Sequence, residues 1–370
     1  MNFDIRNETV RGYLLLGVFF IHGLYGLIWW MDDWHQAPIS FSLVKIISPQ
    51  ISIYFFISGL SMRSIGKKSL RAVLPQSLML ILVAWVSEGA GLVMQNTFYG
   101  GSGYGMPFIR LDVAPMIYGT GGCTFVTWFF TVLAVTRLLA WLFERNKFGF
   151  VGAWLLIAGL VMLAKRLHLP DNLWEWRNWP AATLFTILGM HLKKDWQVPR
   201  WLGMAGLVGG LLLTWFNVPG MWHTRPCLTC HINFVAQPMV GSYGFLPAFL
   251  AEAGLFFLFF LYAAQSPPAL IGRIGRYFGR ASLQFLLLHG WLVVGLEPAI
   301  AAQLPQRESI LLVVAILVIT PLVHAIFFKY MENMLNRILA ACFAYGRSAI
   351  DFCYRIVHWG RLGGMGLLRQ

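Results

Sequence analysis

The sequence predicts an all-α fold: a polytopic integral membrane protein of about ten transmembrane helices with an amphipathic C-terminal tail. The 370 residues are 58% hydrophobic and 12% charged, where a soluble domain carries about 25% charged residues. The mean hydropathy is +0.65. The apolar residues fall in long continuous runs. A membrane barrel would show short alternating segments, and lipid-exposed backbone that must satisfy its own hydrogen bonds favours helices.

A helical crossing needs about 20 mostly apolar residues. Runs that approach this length lie roughly at 13–30, 42–62, 75–95, 123–143, 148–165, 179–192, 201–219, 244–265, 281–298 and 309–329. Residues 1–329 therefore read as one transmembrane domain and 330–370 as a basic tail. The first run is too long for a removed signal peptide and lacks a small-residue cleavage site. No internal repeat is visible. Of the 28 Lys and Arg residues, 21 fall on one side and 7 on the other when the spans alternate. The richer side is predicted to be the cytoplasm, which puts both termini inside. The net charge of +13 then reflects topology, and nucleic acid is not an expected partner.

In the first span, Arg11 and His22 are eleven positions apart. At 100° per residue that is close to three turns, so both lie on nearly one helix face, roughly 16 Å apart along the axis. An ionisable side chain deep in a span is costly and usually faces the protein interior. The alternative is a buried histidine bonded to a neighbouring span. The second span ends in QISIYFFISGLSM, where Ser58 and Gly59 permit close helix approach. Arg63, Lys67, Lys68 and Arg71 follow. They suit either lipid headgroups or, with Arg11, a phosphate-bearing ligand.

Glu88 in the third span and Glu252 in the eighth are carboxylates within apolar runs. Either can orient His22, bind a sugar, or pair with Arg110 or Lys45. His289 in the ninth span either lines the same cavity or makes a helix–helix hydrogen bond. His191 and His324, near the inner ends of their spans, are expected at the interface. The outer loops 96–122, 166–178 and 220–243 are rich in aromatics and polar groups. Such residues serve as interface anchors or as a sugar-binding surface. Cys227-Leu-Thr-Cys230-His231 spells the c-type haem attachment pattern. A loop disulfide or two free thiols is the preferred reading on an oxidising face. Zinc held with His223 and His231 is a weaker alternative, and no metal is expected. Cys342 and Cys353 belong to the tail and are expected reduced. The tail mixes apolar residues with Arg337, Arg347, Arg355 and Arg361. It reads as an interfacial helix or as a dock for a partner enzyme.

Taken together, several segments resemble the acyltransferase-3 family of membrane-bound O-acyltransferases. They are Glu8-x-x-Arg11-Gly12, the spacing from Arg11 to His22, FFISG at 55–59, and the basic stretch from Lys67 to Pro75. TWFFTVLAV at 127–135 and GRYFGRASLQFLLLHG at 275–290 add to these. Two departures stand out: Glu8 replaces the usual Asp, and Thr127 stands where a histidine often precedes the tryptophan. The resemblance is to the stand-alone form without an appended hydrolase domain. It implies transfer of an acyl group, usually acetyl, from cytoplasmic acetyl-CoA or another acyl-CoA to a hydroxyl of an exopolysaccharide or other envelope glycan. The setting it implies is the bacterial inner membrane, and a polysaccharide synthase is a possible partner. Arg11, with Arg63, Lys67, Lys68 and Arg71, would hold the donor's phosphates. His22 would act as general base or nucleophile, and His289 matches the family's late histidine. Two other classes compete: a transporter or flippase for a glycan or lipid-linked sugar, and a non-catalytic membrane subunit of a synthase. Release of free CoA separates the enzyme from both.

Overall fold

A computed structural model describes residues 3–30, 37–47, 49–99, 113–114, 117, 127–168, 173–193, 196–216, 246–301, 303 and 307–367. Among the described residues about 90% are helical and no strand occurs. The fold class expected from the sequence is the one observed. In chain order the helices are α1 (Phe3–Trp30), α2 (Pro38–Ile47), α3 (Gln50–Ser61), α4 (Leu70–Tyr99), α5 (Thr127–Asn146) and α6 (Gly149–Arg166). Then come α7 (Trp179–His191), α8 (Arg200–Phe216), α9 (Leu246–Gln265), α10 (Ala269–Arg280), α11 (Ser282–Ala301) and α12 (Ile310–Leu367).

Among the described residues, four helical stretches are long and apolar enough to cross a membrane, or five if a bent pair counts as one span. That pair is α9 from Ala251 with α10, at an angle of 114°. Other expected spans coincide with shorter apolar helices within α8 and α11. The chain is a helical membrane protein, and the boundaries of several elements differ from the sequence expectation. The second span is two helices, α2 and α3, with Pro49 at the N-cap of α3. Proline has no N–H to continue a helical ladder. α10 falls in the segment between two expected spans, 244–265 and 281–298. Pro267 and Pro268 end α9, and Pro268 is the N-cap of a new helix. α12 runs for 58 residues straight through position 330. At a rise of about 1.5 Å per residue it is about 87 Å long, against a hydrocarbon core of about 30 Å. Its C-terminal half lies against the start of α4. There Arg71 Nη2 pairs with Asp351 Oδ1 at 2.7 Å, Arg71 sits over the Tyr354 ring, and Gly346 meets the Pro75 carbonyl.

α1 is the hub. It touches α2, α3, α9, α10, α11 and α12, and Leu14, Leu15 and Phe19 on it are fully buried. Its packing on α10 depends on glycine. A Cβ on Gly12 would strike the Gly275 carbonyl, and one on Gly279 would strike the Glu8 carbonyl. Small residues let membrane helices approach this closely without lipid between them. Gly59 serves α3 likewise, lying on the Thr186 carbonyl of α7. Arg280 Nε pairs with Glu8 Oε2 at 3.0 Å and fixes the same end of the α1–α10 contact. At the far end, the backbone N–H groups of Ile39 and Ser40 both donate to the Glu308 carboxylate at 2.7 Å. The carboxylate thus satisfies donors at the start of α2 that have no intrahelical partner.

Candidate active site

Three histidines from α1, α11 and α12 form one hydrogen-bonded line. His22 Nδ1 is bonded to His289 Nε2, and the two ring planes are within 14° of parallel, with centroids 4.6 Å apart. His289 Nδ1 is 2.7 Å from His324 Nε2. His324 Nδ1 is 2.7 Å from the carbonyl oxygen of Thr320, one turn back on its own helix. His289 and His324 are buried. Phe19, one turn before His22 on α1, stacks on the His324 ring at 3.8 Å between centroids and lies 5.0 Å from that of His289.

The line fixes the tautomers. A carbonyl oxygen only accepts, so His324 carries its hydrogen on Nδ1 and donates to Thr320. In a neutral imidazole the other nitrogen then holds a lone pair. His324 Nε2 therefore accepts from His289 Nδ1–H, and His289 Nε2 accepts from His22 Nδ1–H. This assignment follows from the network with each ring neutral. It leaves the lone pair of His22 on Nε2, the form that a general base or a nucleophile requires.

The line borders a cavity of about 210 Å³. Apart from the three histidines and Thr320, its walls are apolar or glycine: Gly23, Leu27, Leu292, Leu296, Ala315 and Ile319 are among them. These residues follow His22 on α1, follow His289 on α11 and precede His324 on α12, so the cavity lies on one side of the line. On the other side is an aromatic layer. Phe19 packs on Phe278 and Phe285, and Phe285 stacks on Phe328 at 4.1 Å. Beyond it lies the end of the bundle that carries Glu8, Arg280, Lys329 and Arg276.

Arg11 sits at that end, on the same helix as His22. It is half-buried and within electrostatic reach of the buried Tyr54, whose hydroxyl faces Ser282. Arg63 is half-buried, whereas Lys67, Lys68 and Arg71 are exposed. Arg71 is engaged by Asp351, and the Lys68 carbonyl accepts from Trp141 Nε1 at 2.9 Å. Glu88 is buried and accepts from Thr127 Oγ1 at 3.0 Å. Thr127 is the residue that stands where a histidine was expected. The next carbonyl along α4, that of Ser87, accepts from Trp291 Nε1 of α11. Glu252 is buried, accepts from Thr214 Oγ1 at 2.6 Å and lies within electrostatic reach of Lys45. His191 is largely exposed and bonds Glu144, as an interfacial residue would.

His324 was expected at the interface, and that expectation is corrected: it is 3% exposed and forms the inner member of the histidine line. The signal was present, because it stands in an apolar run by the same criterion that singled out His22. Among the described residues no group of three or more His, Cys, Asp or Glu side chains is placed to hold a metal ion. Cys227, Cys230, His223, His231 and Arg110 lie outside the described residues.

A family model described as an acyltransferase domain, that of the acyltransferase-3 family, matches residues 8–335. No curated protein and no solved structure matches the chain.

Proposed function

The chain belongs to the acyltransferase-3 family and is a membrane acyltransferase, and from this we propose that it is an acyl-CoA-dependent O-acyltransferase of the bacterial inner membrane. The acceptor is a hydroxyl of an exopolysaccharide or other cell-envelope glycan, and acetyl is the simplest acyl group. Both termini and the basic end of the bundle face the cytoplasm, where the donor is found.

The observation that carries this reading is the line from His22 through His289 and His324 to the Thr320 carbonyl. It presents a lone pair on His22 Nε2, and its partners hold the ring in one tautomer. The acceptor hydroxyl gives its proton to Nε2 while its oxygen attacks the thioester carbonyl carbon. The C–S bond then breaks, and the proton on His22 passes to the departing CoA thiolate. His289 and His324 are positioning residues, keeping Nε2 unprotonated between turnovers. The same lone pair can instead take the acyl group. In that case a mass increase on the His22 peptide after donor alone identifies the covalent route. Arg11, with Arg63, Lys67 and Lys68, supplies charge for the donor's phosphates. The apolar cavity beside the line suits the acyl chain, which extends past the thioester away from the CoA end.

The test is release of free CoA by purified protein given acyl-CoA and an envelope glycan. Acceptor-dependent release in the wild type, lost in folded His22→Ala, supports the enzyme. A transporter or a non-catalytic synthase subunit releases none. Comparing the acyl content of surface glycans with and without the protein identifies the acceptor.

A further inference from the structure

We propose that the cavity between α10 and α12, separate from the histidine line, is a binding site for a phosphate group carried on a partly apolar or aromatic ligand. Its volume is about 690 Å³, within the range of small-molecule sites. Arg273, Arg276, Tyr277 and Arg280 line it from α10, and Lys329 and Glu332 line it from α12. Arg280 is already answered by Glu8 at 3.0 Å. Against the remaining three cations the wall offers one carboxylate, Glu332. About two positive charges are left over, which is the charge that a phosphate monoester neutralises near pH 7.

Cationic residues at the end of a membrane bundle often do no more than set topology. Here the packing of α10 gives them a direction. Gly272, Gly275 and Gly279 are buried, and two of them are pressed against α1: a side chain on Gly275 would meet Thr9 and Tyr13, and one on Gly279 would strike the Glu8 carbonyl. Arg273, Arg276 and Arg280 each follow one of these glycines by one position. Spaced three and four residues apart, they share a face that lines the cavity. Tyr277 is 44% exposed and offers a ring edge or face at the same wall. Leu270, Ile271 and Ile274 of α10 are also exposed, so an apolar surface adjoins the charges. Arginine is the better residue for a phosphate because its planar fork donates two parallel hydrogen bonds. The basic cluster that the sequence pointed to, from Arg63 to Arg71, is a separate group, and part of it is tied to α12 through Asp351.

Two sources can supply such a phosphate: the nucleotide end of the acyl donor, and the headgroup of an anionic membrane lipid. The donor source rests on the acyl-CoA reading above; the lipid source does not. The experiment therefore reads binding rather than turnover. Wild-type protein, Arg273→Gln/Arg276→Gln and Lys329→Gln are purified and compared by thermal melting. Unacylated CoA binding is measured by calorimetry, and retention of phosphatidic acid against phosphatidylcholine by native mass spectrometry. We expect at least a tenfold loss of affinity for one probe in the double variant and a smaller loss of the same probe in Lys329→Gln. Loss of CoA alone assigns the site to the donor, and loss of phosphatidic acid alone assigns it to lipid. Unchanged binding of both probes overturns the proposal, even if acyl transfer by the wild type is normal. If no acyl transfer is found while binding still falls as expected, the enzymatic reading fails and the phosphate site stands. Lys329→Gln lies on a different helix, so a double variant that does not fold leaves a second measurement.

Discussion

His289 and His324, from different helices and 35 positions apart in the chain, share a buried hydrogen bond of 2.7 Å. Because His324 in turn donates to a carbonyl, His289 has its hydrogen on the nitrogen that faces His324 and its lone pair on the nitrogen that faces His22. The consequence reaches His22, which neither His324 nor Thr320 touches through any of these bonds.

His22→Ala is expected to lower the maximal rate by about a hundredfold or more, the scale of a positioned acid–base group, with donor binding retained. His22→Gln preserves size and hydrogen bonding but has no basic nitrogen. It should be as inactive as the alanine variant. Near-normal turnover by folded His22→Gln protein would mean that the histidine is there for packing.

Replacing His324 tests the line at its far end. His324→Phe fills the space and keeps the stack on Phe19, but gives His289 nothing to donate to. The rate should fall about ten- to a hundredfold, by analogy with outer partners of ligating histidines. The donor's KM should stay within about twofold, as expected when ground-state binding is untouched. The diagnostic readout is ring-nitrogen chemical shifts in protein labelled at histidine. His22 should lose its single Nδ1–H tautomer in the variant. An unchanged tautomer alongside reduced activity would make His324 merely structural.

Arg11→Lys keeps a charge but loses the forked donor. Steady-state kinetics should show the KM for acyl-CoA rising more than the maximal rate falls. The opposite split would remove Arg11 from the donor site and place it at the chemistry.

Ala315 lines the apolar cavity. If the acyl chain lies there, Ala315→Phe should cut turnover with hexanoyl-CoA at least about tenfold relative to acetyl-CoA, since even one methylene in a pocket is worth roughly that factor. Equal losses for both donors would assign the cavity to something other than the acyl chain.

The α1–α10 contact gives a stability prediction. Gly12→Leu forces a side chain into the Gly275 carbonyl and should cost about 1–3 kcal/mol, read as a lower melting temperature in detergent. Gly159→Leu, with nothing within 4 Å of its added Cβ, should melt no lower than wild type, since leucine is the better helix former. Matching melts for the two variants would mean that α10 moves off α1 freely.

The sequence alone determined the fold class, the placement of most helices, and Arg11 and His22 as one pair on one face. These are local properties: the length of an apolar run, the 100° turn per residue, and the cost of an ionisable group inside such a run each concern a few consecutive residues. His324 satisfied the same local criterion and was read as interfacial because it lies near the end of its span. What only the tertiary structure decided is which groups meet. His22 and His289 are 267 positions apart, and no periodicity encodes the contact between them. Glu88 read as a candidate to orient His22, and His289 as a candidate to line the same cavity or to bond a neighbouring helix. Packing bonded Glu88 to Thr127 and His289 to His22. The turn of 114° between α9 and α10 likewise converts what reads as an inter-span segment of topology-setting charges into one wall of a cavity. Its cause is distributed over Pro267, Pro268 and the glycines of α10 that fit against α1, and a fit between two surfaces exists only once both are in place.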